Sequence, residues 1–347
     1  MAAAPAAGGA LGRYVLVRFL LIIPTVFILV TTVFVLMRAT GDPITAALGG
    51  RLTPDQLAER IHAAGYDRPI LVQYWDYLSG VFTGDLGTTL SDSRPVTEVL
   101  TTYGAATLEL SLYAVLVATV LGVPFGMLSG YFRDRVPDAV LRVLAILAYA
   151  TPVFFAGLLL KLVFSVWLGW FPVAGRVSTA GEIEMRKAGA DSGFMVIDAL
   201  QTGDPAVLLD VLSHAVLPAM ALGLLTAGIF LRLVRTNMIG TLGTDYVTAA
   251  RSRGVRERRL VTGHAWRPAL IPVITVAGMQ IAMLLVGAVL TETTFEWRGL
   301  GFQLAQYLQA RDFVAVQGIV VVMAVVVAVT NFLVDMIAVL VDPRVRY

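Results

Sequence analysis

The chain has 347 residues, 57% of them hydrophobic and only 14% charged, and its mean hydropathy of +0.79 excludes both an ordinary soluble protein and a disordered chain. Twenty-six Lys and Arg against 24 Asp and Glu leave a formal charge of +2, so no basic excess points to nucleic acid as a partner. With no cysteine, disulfides, thiolate metal sites and cysteine nucleophiles are excluded as well.

In chain order, residues 1–13 are Gly- and Ala-rich and read as a disordered cytoplasmic tail. Crossing the roughly 30 Å hydrocarbon core takes about 20 mostly apolar residues in a helix. Six charge-free runs approach or exceed that length, at 19–37, 110–132, 143–160, 211–231, 268–291 and 313–334. Backbone polar groups inside a bilayer must be satisfied within their own segment, so these runs read as helices. The expected fold is therefore an all-α polytopic membrane protein with six transmembrane helices.

Arg13 and Arg18 ahead of the first run imitate a signal peptide, but 19 uninterrupted apolar residues exceed a normal signal core and no cleavage site follows. The run is read as a retained first helix, within 14–37. Residues 38–104 form an external cap region with turn signals at Gly41-Asp42-Pro43, Gly49-Gly50 and Gly84-Asp85, and one helical candidate at 54–64 capped by Thr53. Residues 105–347 carry the other five helices, with an external loop at 171–210 and a cytoplasmic loop at 235–266. No internal repeat is present. Alternating the segments gives one side 15 basic and 6 acidic residues and the other 11 and 18, which puts both termini in the cytoplasm.

The chain lacks the parts of a catalyst. His62, His214 and His264 are far apart, no G-x-S-x-G elbow occurs, and neither lysine, Lys161 or Lys187, sits in a phosphate loop. No catalytic or metal site is expected, and moving something across the bilayer becomes the default function.

The richest stretch is residues 244–272. Thr244 can cap a short helix that starts at Asp245, a carboxylate suited to the positive helix N-terminus, while Arg251 and Arg253 suit its C-terminal end. Gly254 can then adopt the left-handed conformation that closes it. Ala249 and Ala250 would let another protein surface approach closely, and a second basic turn follows at 255–262. Two readings stand beside each other: an exposed elbow built for docking, or a basic inner loop touching anionic lipid. Glu109, Lys161, His214, Glu292 and Asp335 sit within or at the edges of spans, as lining of a path for a polar solute or as interface and interhelical hydrogen-bonding groups. Asp335 and Asp342 near Arg344 and Arg346 read as inner-interface ion pairs.

The loop resembles the coupling loop of the dipeptide/oligopeptide ABC-importer permease family. The matching residues are Asp245-Tyr246-Val247, Ala250-Arg251, Arg253-Gly254, His264, Ala269 and Pro272. Gly41-Asp42-Pro43, Gly84-Asp85-Leu86-Gly87, Thr107-Leu108-Glu109-Leu110, Glu292-Thr293 and Asp342-Pro343-Arg344 are similar to that family too, so the resemblance runs from about residue 14 to the end. Arg253 stands for the family's Lys, Pro268 for an Asn, and Trp297-Arg298-Gly299 for Trp-Pro-Gly. The resemblance implies a type I ABC-importer permease in a bacterial inner membrane. It implies as partners a second homologous permease, two cytoplasmic ATPases and an external solute-binding protein, with ATP and Mg held by the ATPases and no cofactor in this chain. Asp245, Tyr246, Ala249, Ala250, Arg251, Arg253 and Gly254 would then couple to the ATPase, and Glu109, Lys161, His214 and Glu292 would be pathway candidates. The implied cargo is a di- or oligopeptide. The alternatives are a nickel chelate, glutathione or haem within the same family, a gradient-driven transporter or channel, and a membrane anchor without transport.

Overall fold

A computed structural model describes residues 7–39 and 41–341. Among these residues the chain is helical, with one isolated antiparallel bridge between Thr88 and Pro95. It divides into two compact units, Met1–Thr107 with Arg298–Phe332, and Leu108–Trp297 with Leu333–Tyr347.

The first unit contains α1 (Ala7–Ala39), α2 (Pro43–Leu48), α3 (Pro54–Ala63), α4 (Ile70–Thr83) and the opening turns of α5 (Val96–Tyr131). Among the described residues α1 already runs at Ala7, ahead of the expected tail boundary at residue 13. The short helices follow local rules. Asp42 caps α2 by accepting from the Thr45 N–H at 2.7 Å. Thr53 and Gln56 form the reciprocal capping box of α3. Val30 of α1 packs with Leu78 of α4, and Phe34 stacks on Tyr77 at 5.5 Å.

α14 (Leu300–Gln309) and α15 (Phe313–Val341) complete that unit as far as residue 332. The Thr107 hydroxyl accepts from the first N–H of α14 at 2.8 Å. Asp312, fully buried, caps α15 through Ala315 with one oxygen. Its other oxygen receives the Leu90 and Ser91 N–H groups and the Ser91 hydroxyl at 2.6–2.8 Å. A buried carboxylate is tolerated here because four donors replace its water.

In the second unit, α6 (Val136–Ala150) and α7 (Val153–Leu160) meet at Thr151-Pro152, and α7 continues as a π-helical segment, Lys161–Trp167. Next come α8 (Thr179–Lys187), α9 (Met195–Thr202), α10 (Pro205–Leu242), α11 (Asp245–Ser252) and α12 (Glu257–Arg259). A π-helical turn at Leu260–Ala265 then leads into α13 (Trp266–Phe295). α10 is the central helix, packed on α6, α7, α9 and α13.

Gly122, Gly126 and Gly130 of α5 form a ridge of small residues at four-residue spacing against α10. A Cβ at Gly126 would stand 2.7 Å from both the Leu231 carbonyl oxygen and the Val234 Cβ. Gly126→Val is expected to cost about 1–3 kcal/mol by overpacking. That loss is read as a lower thermal midpoint of the purified protein, and an unchanged midpoint would refute so close a crossing.

Among the described residues, four helices can cross a membrane by length and composition: Val15–Ala39, Val96–Tyr131, Pro205–Leu242 and Phe313–Met336. The expected continuous span at 143–160 is instead a broken one, Val136–Ala150 and Val153–Trp167, bent by 110°. Pro152 lacks an N–H and forces Thr151 out of the helical region, to φ −82° and ψ 125°. The expected span at 268–291 falls inside the 30-residue α13, where part of the side chains lie outside the described set. Among the described residues the structure thus carries four continuous spans and one broken one on these criteria, and the 30-residue α13 covers the remaining expected run. The cap region and the 171–210 loop hold more helix than expected, in α2 and α4 and in α8 and α9.

Candidate functional site

The elbow that follows α10 is built by three local devices. Thr244 takes the extended conformation of an N-cap, φ −76° and ψ 155°, but contrary to expectation its hydroxyl does not cap α11. It donates backwards to the Thr241 carbonyl at 2.6 Å instead, since α10 ends only two residues earlier and leaves free carbonyls. At the other end Gly254, at φ +80°, closes α11 in a Schellman motif: the Gly254 N–H donates to Arg251 O at 3.0 Å and the Val255 N–H to Ala250 O at 3.3 Å. The turn is then bridged by Arg251, whose Nε donates to Glu257 Oε1 at 2.5 Å. Glu257, hydrogen-bonded to it, also pushes the Arg251 guanidinium further up from its ordinary value.

α11 is half anchored and half presented. Val247 is completely buried and α11 packs on the π-helical turn. In that turn Val261 and Ala265 join Met238 of α10 and Ala269 of α13 in one apolar cluster. The opposite face shows Asp245, Tyr246, Ala249 and Arg253, with Arg251 exposed on the flank next to Val247, Ala250 half-buried and Gly254 exposed behind it. Tyr246 is 47% exposed, a large aromatic surface on an otherwise small and basic face. The chemistry available is docking: an aromatic anchor, two small residues that permit close approach, and arginines for a carboxylate-bearing partner. The His264, Pro268 and Pro272 side chains lie outside the described set, as do residues Asp342, Arg344 and Arg346.

The part of α10 that leads to the elbow is held to α5 and α6 by a buried charge that the sequence reading missed. Asp138, fully buried at the start of α6, receives Arg235 Nε and Nη2 of α10 at 2.6 and 2.8 Å, a bidentate pair. The Ser129 hydroxyl of α5 and the Asp134 N–H supply 2.6 and 2.9 Å bonds to the same carboxylate. Three helices therefore meet at one anion, below the α5 glycine ridge. The G-x-x-x-G-x-x-x-G spacing at 122–130 was a readable signal for the ridge; nothing local marked Arg235 as the partner of Asp138.

The four intramembrane candidates lie on four different helical segments of the same unit. Glu109 on α5 is 2% exposed and fully engaged. Its carboxylate takes Arg176 Nη2 at 2.5 Å, the Tyr113 hydroxyl at 2.9 Å and the Val196 N–H at 2.9 Å. Arg176 in turn donates to Gly193 O and lies over the Trp297 ring at 5.4 Å. Glu109 is thus the nail on which the 171–210 segment hangs. Glu109→Gln removes the charge but keeps one acceptor, at a cost of about 1.5–3 kcal/mol for a charged hydrogen bond. Proteolysis within residues 171–210 should speed up accordingly, and an unaltered digestion pattern would contradict this role.

Lys161 donates to the Thr294 carbonyl at 3.0 Å, beside the Phe295 ring, which brings it to the helix that carries the fully buried Glu292. His214 Nδ1 stands 2.8 Å from the Asp210 carbonyl oxygen and 3.2 Å from its Oδ1. Asp210 Oδ2 also receives the N–H and hydroxyl of Ser178, so His214 belongs to a second fastening of the same segment. A cavity of about 590 Å³ among α5, α6, α7 and α10 is lined by Leu, Ala and Gly, with Phe125 and Thr151; none of the four candidates reaches it.

These features define a polytopic helical membrane protein with an exposed elbow after α10. Residues 122–347 match the family described as binding-protein-dependent transport system inner membrane component, and residues 11–97 match its N-terminal membrane component. The di/tripeptide transport system permease protein DppB of Pseudomonas aeruginosa is 39% identical over 95% of this chain and 97% of its own. The dipeptide permease DppB of Escherichia coli K12 is 38% identical over 96% and 99%. The glutathione permease GsiC of Salmonella choleraesuis is 32% identical over 96% and 99%. The chain belongs to this family of binding-protein-dependent ABC permeases. It is a multi-pass transport subunit, not an enzyme, and its partners are a solute-binding protein and ATPase subunits.

Proposed function

We propose that this chain is one of two homologous permeases in a bacterial inner-membrane importer of di- or tripeptides. Its termini are cytoplasmic, two cytoplasmic ATPases hold the ATP and Mg, and the solute-binding protein delivers cargo from outside. What supports the coupling role is the presented face of α11, with Asp245, Tyr246, Ala249, Ala250, Arg251 and Arg253 outward and Gly254 closing the helix. Seated in an ATPase cleft, that helix would transmit ATP-driven closure to α10 and α13 through the apolar cluster at its root. The coupling is a two-state bias, paid by ATP binding one state better than the other. The peptide assignment rests on the identity to the di/tripeptide permease, and the glutathione permease, whose named cargo is itself a tripeptide, agrees with it.

Glu109, Lys161, His214 and Glu292 are our candidates beside the path, Glu109 and His214 fastening the 171–210 segment as well. Purification of the tagged chain in mild detergent should recover a second permease and ATPases, with turnover raised by a di- or tripeptide and its binding protein. Recovery of the chain alone, with uptake driven by an ion gradient, would overturn the proposal.

A further inference from the structure

The first unit holds a cavity of about 220 Å³ between the end of α1, α4 and α15. Among the described residues three of its lining side chains carry a buried polar atom with no hydrogen bond of ordinary geometry, Arg38 Nε, the Tyr77 hydroxyl and Gln317 Nε2, the last two lying beside each other. Gln317 is only 8% exposed. Leaving such a group unpaired costs about 1–3 kcal/mol each, and three around one cavity is an unusual concentration.

The other polar groups of the lining are already satisfied. Arg68 pairs with Asp76 at 2.6 Å, Asp85 accepts from the Gly87 N–H at 3.0 Å, and Gln73 donates to the Tyr66 and Arg68 carbonyls. Arg38 differs from all of them. Among the described residues no carboxylate lies within ion-pair distance of it, and its guanidinium carbon lies 5.3 and 4.4 Å from the Phe34 and Tyr66 ring centroids. These ring contacts orient the fork, while its Nε–H keeps no acceptor among the described residues. Two further N–H and O–H donors beside a preoriented guanidinium ask for one thing, an acceptor of negative charge with several lone pairs.

The geometry points to a carboxylate-binding site in this cavity, with Arg38 as the charged clamp and Tyr77 and Gln317 as its lateral donors. The volume suits a carboxylate of a few heavy atoms, far more than the roughly 30 Å³ a single water occupies. The carboxylate has two sources of the same chemistry, a small dissolved acid or the acidic side chain of a neighbouring subunit.

The test uses the full chain in lipid nanodiscs with sodium formate as the probe, reading the transverse relaxation of the formate proton. Wild-type protein is expected to broaden the formate line at least twofold more than Arg38→Gln. Tyr77→Phe and Gln317→Leu, which remove a donor and leave the charge, should give intermediate broadening and guard against a misfolded Arg38 variant. Co-purified partner subunits then separate the sources. Broadening that persists in the assembly assigns the site to a dissolved acid, and broadening that disappears assigns it to a partner's acidic side chain. Equal broadening by wild type and all three variants would mean a cavity filled by water only and would overturn the site. Because the first arm needs no partner, its result is independent of whether the importer assembles.

Discussion

Gly254→Pro is expected to abolish binding-protein-stimulated ATP turnover in the assembled transporter while leaving the membrane spans folded. Proline fixes φ near −65°, whereas Gly254 sits at +80° and uses its N–H to close α11 on Arg251. The substitution loses both the left-handed turn and that bond, at about 3 kcal/mol or more. A shift of that size depopulates the presented helix by more than a hundredfold. Gly254→Val keeps the N–H and pays only the left-handed penalty of about 1–2 kcal/mol, which should lower turnover about five- to thirtyfold. Asparagine tolerates this conformation, so Gly254→Asn should retain most of the activity. Turnover by all three variants at the wild-type rate would detach α11 from coupling.

Asp138→Ala should be the most destabilising single change in the second unit. It leaves Arg235, whose side chain is 18% exposed, without its bidentate partner and strands the Ser129 hydroxyl as well. Breaking a buried pair from one side costs about 3–5 kcal/mol, whereas replacing both partners by apolar groups is often close to neutral. Thermal unfolding followed by size-exclusion chromatography should therefore show a large loss for Asp138→Ala and a recovery for the double variant Asp138→Leu with Arg235→Met. The exposed pair Arg186–Glu182 supplies the control, because exposed pairs contribute only about 0–1 kcal/mol. A loss no larger than that control would show that the three-helix junction carries no energy.

What the sequence made legible was whatever depends on near neighbours. Apolar runs located the membrane helices, Thr53 three residues before Gln56 located a cap, and Gly254 located a turn. Partners far apart in the chain were not legible. Glu109 finds Arg176 67 positions on, Arg235 finds Asp138 97 positions back, and Leu90 finds Asp312 222 positions on. Charge alone could mark Glu109 as costly in a span, but not whether a donor or a solute would answer it. Proline was equally ambiguous: Pro24, Pro124 and Pro218 sit inside unbroken helices, while Pro152 ends one. The difference lies in which neighbours re-satisfy the freed carbonyl, and that is settled by packing. Thr244 failed as a side-chain cap for a related reason, since a nearer acceptor in the preceding helix competed for its hydroxyl.

The glycine ridge of α5 has a mechanical meaning. Where Gly122, Gly126 and Gly130 face α10, the Phe230, Val234 and Met238 side chains seat in the notches that the missing Cβ atoms leave. Teeth seated in notches of this kind hold two helices against both sliding and turning. The Asp138–Arg235 junction, next to Gly130 through Ser129, pins one end of the same contact. A displacement of the end of α10 would then carry α5 and the start of α6 with it as one body.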